Sequence, residues 1–363
     1  MNLIRMTAFM LALVASHFVL PIAHAQAPSQ PPAAAPPQPM AGTYERITVH
    51  GASLVGNLEG DTPDRMVSVY LPPSYAKHPR ARYPVLYLLH GFTDSDSYWY
   101  GLRGPHFVNV QRAVDRANAA GATEMIIVTP DAFTKYQGSM YSSSATIGNW
   151  EAFIAEELVT YIDAHYRTLA QRASRGLAGH SMGGYGTIRL GMKYPQVFSS
   201  LYAMSPCCLE ANLQPNPELV ARAAKVSTDE EIAAADFFTK ATLALAAAWS
   251  PNPRNPPHFF DLPIVDAKPV PETIAKWAAN ATLTMVYQYT PNLKQFDAIA
   301  VDAGDKDQPI ADTVRALDGI LSDYGVRHVA EIYEGDHINR IEERLEKKVL
   351  PFFGEHLRNQ NGK

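Results

Sequence analysis

Gly176-Leu-Ala-Gly-His-Ser-Met-Gly-Gly-Tyr-Gly186 is the stretch on which the reading of the whole chain turns. Inside it, Gly179-His180-Ser181-Met182-Gly183 matches G-x-S-x-G, and Gly184 and Gly186 follow. A serine hydroxyl is a poor nucleophile unless it projects from a sharp strand-to-helix turn toward both a base and a substrate. The backbone of such a turn is strained and crowded, so small residues are needed on either side. The pentapeptide by itself is a weak signal, because glycine and serine are common. Its context strengthens it: apolar Gly176–Gly179 reads as a strand, and Met182–Lys193 is compatible with a helix. Ser181 is therefore the candidate nucleophile, the alternative being a glycine-rich turn that happens to hold a serine.

Working outward, Val85–Leu89 and Met125–Thr129 are apolar throughout, the pattern of parallel strands buried on both faces. Leu201–Met204, Ala298–Val301 and Val329–Tyr333 are further strand candidates, and Met66–Leu71 alternates as an antiparallel strand does. Helices are expected between them at His106–Ala119, Glu151–Tyr166, Met182–Lys193 and Ile338–His356. Strands alternating with helices give an α/β class with a mostly parallel sheet and helices on both faces. Residues 206–295 interrupt the alternation. There Ser227-Thr-Asp-Glu230 reads as a capping box opening a helix through about Trp249, followed by a proline-rich stretch and a helix over Glu272–Tyr287. This is a helical insertion, read as a lid over one edge of the sheet, with a purely structural cap as the alternative.

A nucleophile turn of this kind belongs to α/β-hydrolases, whose catalytic groups follow in the order serine, acid, histidine. The last strand candidate ends in Glu334-Gly-Asp-His337, which places His337 on a loop at a strand's carboxyl end as the candidate base. His165, His258, His328 and His356 fall in helices, in the insertion or ahead of a strand. The preceding strand runs into Asp302-Ala-Gly-Asp-Lys-Asp307, where three aspartates compete. The Gly304-x-x-Asp307 spacing favours Asp307, with Asp305 and Asp302 as the alternatives. The acid's task is to fix the imidazole tautomer and stabilise the imidazolium. After Val85–Leu89, His90-Gly-Phe-Thr-Asp94 supplies a loop whose Phe92 N–H, with that of Met182, is the expected oxyanion hole. The side chain of His90 is expected to support this loop. Aromatics at Tyr98-Trp-Tyr100 and Tyr136–Tyr141, together with Tyr185, make Trp99 and Tyr185 the candidate substrate-binding residues.

With these residues in hand, the chain resembles the esterase D (putative esterase) family of α/β-hydrolases, which includes S-formylglutathione hydrolases, feruloyl esterases, enterochelin esterases and mycolyl transferases. The matching pieces are Tyr83–Phe92, Gly148-Asn-Trp-Glu151, Tyr161–Arg167, Gly176–Gly186, Lys193–Phe198, Met204-Ser-Pro206 and Gly335-Asp-His337. They span the folded part, while the 206–295 insertion is longer than in plainer members. The resemblance implies a serine carboxylesterase working through an acyl-enzyme, with no metal and no cofactor. A feruloyl-type aryl or sugar-linked ester is the expected substrate. Acyl transfer to a sugar hydroxyl is the main alternative, and a non-catalytic binding protein of the same fold the lesser one.

Residues 1–25 read as a signal peptide: Arg5, an apolar run from Met6 to Leu20, then Ala23-His-Ala25 as a small-x-small cleavage site. Export to the periplasm or medium is the expectation, with no stable membrane insertion once the signal is removed; an uncleaved anchor is the alternative. Residues 26–42 form a Pro/Ala-rich linker, and 43–363 a single hydrolase domain. Two clusters, Pro28–Pro39 and Pro251–Pro271, hold thirteen of the 28 prolines; the first marks that linker and the second lies inside the insertion. With 31 basic against 36 acidic residues, net charge −5, the chain offers no electrostatic reason to bind nucleic acid. The partner expected is a small-molecule or saccharide ester; oligomeric state is left open. Adjacent Cys207 and Cys208 allow either a strained vicinal disulfide or two packed thiols.

Overall fold

The computed structural model describes residues 42–211 and 213–360. The expected signal peptide and, but for Gly42, the linker lie outside the described residues. Strands β1 (Thr43–His50), β2 (Asp64–Leu71), β3 (Val85–Leu89), β4 (Ile126–Pro130), β5 (Arg175–His180), β6 (Ser200–Met204), β7 (Ala298–Gly304) and β8 (Val329–Tyr333) make one sheet in the order β1-β2-β4-β3-β5-β6-β7-β8. From β4 onward the pairings are parallel, whereas β1–β2 and β2–β4 are antiparallel. Every residue of β3, β4, β6 and β7 is buried. Helices lie on both faces, so both side-chain directions of a central strand meet apolar partners and the run need not alternate.

Strand β1 carries no such run. Most of its residues are exposed, and its register comes from pairing along its full length with β2, from Thr43↔Leu71 to His50↔Asp64.

Helices α1 (Val110–Ala119), α2 (Trp150–His165, with a π turn over Phe153–Glu157) and α3 (Met182–Lys193) follow β3, β4 and β5. The first is shorter than expected, because Asn109, not His106, caps it by accepting from the Arg112 N–H. Between β6 and β7 the insertion holds α4 (Pro217–Ala223), α5 (Asp229–Ala234), α6 (Phe237–Trp249), α7 (Pro271–Asn280) and α8 (Thr282–Leu293). Two expected single helices are each divided here. The capping box is Thr228 with Glu231, one residue later than expected. The helix it opens stops at Ala234, because Asp236 caps a new one by accepting from the Thr239 N–H. Extended Ala281 likewise separates α7 from α8. Helix α9 (Ile310–Asp323) links β7 to β8, and α10, begun at Ile341 and not Ile338, ends at His356.

Loops carrying residues 90–94, 181, 305–307 and 334–337 leave the carboxyl ends of β3, β5, β7 and β8, one edge of the sheet. That is where a parallel α/β sheet places its ligands.

Candidate active site

The local backbone explains the pentapeptide. Ser181 sits between β5 and α3 with φ 55° and ψ −115°, a left-handed conformation that costs a non-glycine residue about 1–3 kcal/mol. Three main-chain bonds hold it there. Its N–H donates to Met204 O at 3.0 Å, and its carbonyl accepts from the N–H groups of Tyr185 (2.9 Å) and Cys207 (3.2 Å). Glycine is required at both ends of the motif: a Cβ on Gly179 would overlap the Gly183 carbonyl, and one on Gly183 would overlap the carbonyl of Leu89.

The structure brings the three expected side chains into one chain of hydrogen bonds. His337 Nε2 lies 2.9 Å from Ser181 Oγ, and His337 Nδ1 lies 2.8 Å from Asp307 Oδ2. A carboxylate only accepts, so Nδ1 carries the proton and Nε2 offers its lone pair to the serine hydroxyl. Ser181 and Asp307 are buried, while His337 keeps 35% of its side chain exposed.

The three competing aspartates separate by environment. Asp307 faces the imidazole from a turn closed by its own N–H to Gly304 O. Asp305 accepts from the Gly335 N–H at 3.0 Å, and the Asp305 and Lys306 N–H groups donate to Tyr333 O and Gly335 O. It thereby ties the acid-bearing loop to the histidine-bearing one. Asp302 is fully buried and accepts from Arg344 Nε (2.6 Å) and the Tyr202 hydroxyl (2.8 Å). Burial pushes its carboxyl up to about 6, against the lowering effect of the Arg344 guanidinium and the Tyr202 hydroxyl.

Gly91 runs close against the nucleophile: a Cβ placed on it would lie 3.5 Å from that of Ser181. Among the described residues, neither the Phe92 nor the Met182 N–H donates to a protein acceptor. His90 braces this loop from behind. The Ala132 N–H donates to its Nε2 at 2.8 Å, which leaves Nδ1–H to donate to Gly91 O, also at 2.8 Å.

The two expected substrate-binding residues are corrected. Trp99 has no exposed surface and gives its indole N–H to Asp94 Oδ2 at 3.0 Å. Tyr185 is equally enclosed, donating its hydroxyl to Asn280 O (2.8 Å) and accepting from Arg189 (3.0 Å). A loop or a catalytic helix near the edge can turn its aromatic side chains inward, and these fill the core. Tyr100, Tyr136 and Tyr141 are buried too. Phe237 and Phe238 at the start of α6 are exposed aromatic rings that the sequence reading missed, Phe237 packing against Phe92. Cys207 and Cys208 are free thiols with sulfurs 2.8 Å apart. Among the described residues no helix is long and apolar enough to cross a membrane, and no group of three His, Cys, Asp or Glu is placed to hold a metal ion.

His180, the second residue of the motif, was also missed as a contributor to the site. Its Nε2–H donates to the His337 carbonyl at 2.8 Å, and its ring lies 4.7 Å from that of His337. Burial, with the neighbouring His337 adding to it, lowers its pKa to about 3. An unfolded histidine takes up its proton near 6.5, so between these values the unfolded chain binds more protons. The stability that His180 contributes is thus complete above pH 6.5 and is lost as pH falls toward 3, at up to about 1.4 kcal/mol per pH unit. Urea unfolding of His180→Asn and wild type at pH 6.5, 5.5 and 4.5 is expected to show a shallower acid loss in the variant. Parallel slopes would remove His180 as the source.

Residues 62–338 match the esterase family model described as "Putative esterase". An esterase of Mycobacterium tuberculosis is 30% identical over 220 residues, covering 54% of this chain and 44% of that protein. The endo-1,4-beta-xylanase/feruloyl esterase of Xylanibacter ruminicola is 31% identical over 136 residues, 36% of this chain and 18% of its own length. The chain therefore spans less than half the length of these curated relatives. Among solved structures, a ferulic acid esterase superposes with TM-score 0.62 at 23% identity, covering 86% of this chain and 98% of that one. The sheet, the order of its loops and the family match agree: the chain belongs to the esterase family and has the α/β-hydrolase fold.

Proposed function

We propose that the protein is an exported serine carboxylic-ester hydrolase acting through an acyl-enzyme. The observation that carries this reading is the continuous Ser181–His337–Asp307 chain of 2.9 and 2.8 Å bonds, set beside a loop with an undonated N–H. Ser181 Oγ attacks the ester carbonyl as its proton passes to His337 Nε2. The developing oxyanion is received by the N–H groups of Phe92 and Met182, each such donor being worth about 10²–10³ in rate. Collapse breaks the ester bond, and the departing alcohol takes the proton from His337. Water, deprotonated by the same nitrogen, then releases the acid and restores Ser181. Asp307 holds the imidazole in the required tautomer throughout.

Relatives whose names include feruloyl or ferulic acid esterase support aryl or sugar-linked carboxylic esters as the substrate class. Export rests on the sequence of residues 1–25.

The test combines turnover and covalent trapping. The purified protein is expected to hydrolyse 4-nitrophenyl acetate, and a fluorophosphonate is expected to add once, on the peptide carrying Ser181, with turnover lost in proportion. Full labelling of another residue, or turnover that survives a labelled Ser181, would refute the assignment.

A further inference from the structure

The chain has two cysteines, they are adjacent, and the fold turns them toward each other beside the nucleophile. Consecutive side chains of an extended strand point to opposite faces. Cys208 departs from that pattern: at φ 63° it takes the left-handed conformation that few non-glycine residues adopt. The two thiol sulfurs lie 2.8 Å apart.

The same segment grips the serine turn. Met204 O accepts from the Ser181 N–H at 3.0 Å, and the Cys207 N–H donates to the Ser181 carbonyl at 3.2 Å. Residues 204 and 207 thus hold the left-handed Ser181 between them. The segment also packs closely on the first turn of α3, where a Cβ on Gly184 would lie 2.9 Å from both Met204 O and Pro206 Cα. A change of main-chain torsion at Cys207 therefore bears directly on where Ser181 Oγ stands.

The pair is within reach of solvent. Both cysteines are half-buried, and Cys208 lines two surface clefts of about 220 and 550 Å³. The larger is also lined by Pro309, two residues beyond Asp307. The hydrogen bond shared with Cys208, together with burial, pushes the Cys207 thiol well above its ordinary value. Cys208 is accordingly the sulfur that reacts first.

We infer that Cys207 and Cys208 are a redox modification site, a dithiol that closes to a vicinal disulfide and in closing slows the chemistry at Ser181. The oxidant is a small-molecule disulfide. Cys208 gives up its proton and attacks one sulfur of that molecule, forming a mixed disulfide and expelling one thiolate. Cys207 then gives up its proton and attacks Cys208 Sγ, expelling the second thiolate. Two protein thiols are oxidised, one disulfide is reduced to two thiols, and both protons pass to the departing sulfurs. Consecutive Cα atoms stand about 3.8 Å apart, whereas a disulfide ordinarily spans about 4.4–6.8 Å. The ring therefore closes only by turning torsions at both residues, which draws the Cys207 N–H away from the Ser181 carbonyl. The effect on turnover rests on the ester-hydrolysis reading; the sulfur exchange does not. The proposed export brings the pair into oxidising surroundings, where such bonds form and persist.

The test reads sulfur chemistry and turnover separately. Reduced protein is incubated with oxidised glutathione, treated with iodoacetamide and weighed intact. The expected product is about 2 Da lighter than the reduced protein, takes up no iodoacetamide and retains no glutathione. Its kcat for 4-nitrophenyl acetate is expected to fall about 10- to 100-fold, because a displacement of about 1 Å at a reacting group costs up to about 10² in rate. Fluorophosphonate labelling of Ser181 should slow in step, and dithiothreitol should restore both. Cys208→Ala leaves the Cys207 N–H in place, so when reduced it should turn over like wild type, yet form no ring. Two alkylated thiols, or a lasting glutathione adduct, would overturn the ring. A ring that leaves kcat and labelling unchanged would overturn its hold on Ser181. Reduced wild type that turns over no ester overturns the hydrolase reading instead, while mass and labelling still decide the ring and its effect.

Discussion

Ser181→Ala is expected to lower kcat for 4-nitrophenyl acetate by about 10⁴- to 10⁶-fold, the range seen when a nucleophile is removed from a serine triad. The loss is chemical and not structural. The main chain at residue 181 is held by bonds from its own N–H and carbonyl to Met204, Tyr185 and Cys207, and none of them uses the hydroxyl. The side chain contributes one hydrogen bond, to His337, whose removal costs about 0.5–1.5 kcal/mol, partly offset by the imidazole's remaining exposure to water. The variant should therefore melt within a few degrees of wild type. His337→Ala should lose about as much activity, and the double variant little more than either, because the two groups act as one device. Multiplicative losses in the double variant, or more than about 1% residual activity in Ser181→Ala, would place the nucleophile elsewhere.

How legible this site was in the sequence depended on whether the signal was local. Ser181 and His337 could be read because each lies on a short loop directly after an apolar strand, and the glycines around Ser181 report steric overlaps with the carbonyls of Gly183 and Leu89. The central strands were equally plain, since burial on both faces leaves uninterrupted apolar runs such as Val85–Leu89. Strand β1 was not, because an exposed edge strand takes its place from its partner's backbone and not from its own side chains. The aromatic residues were misread for a related reason. Sequence shows that Trp99 and Tyr185 lie near the catalytic edge but not which way they turn, and Asp94 and Asn280 claim their polar atoms from inside. Phe237 and Phe238 were hidden by the expectation of one helix through residues 227–249. Only the break at Asp236 puts them at a helix start, where Phe237 reaches Phe92.

The acid is where spacing left three choices, and replacing each aspartate by asparagine should separate them by kind of effect. Asp307→Asn keeps the shape of the side chain but no longer dictates which imidazole nitrogen holds the proton. The amide can donate to Nδ1 and turn the protonated Nε2 toward Ser181, where it cannot act as a base. A loss of about 10⁴ in kcat is expected, with the melting temperature nearly unchanged. Asp302→Asn should do the reverse. It leaves the Arg344 guanidinium, which touches Asp302 at 2.6 Å in the core, with only half-exposed Glu331 as a charged partner. Removing one member of a buried pair costs about 3–5 kcal/mol of stability, yet the protein that remains folded should retain most of its turnover, since Asp302 does not touch His337. Asp305→Asn should be mild on both counts, because the asparagine oxygen can still accept from the Gly335 N–H. Activity per folded molecule, from active-site titration with a fluorophosphonate alongside thermal unfolding, distinguishes the three. A 10⁴-fold loss on Asp305→Asn or Asp302→Asn with Asp307→Asn near wild type would mean that the 2.8 Å bond to His337 does not set its tautomer during turnover.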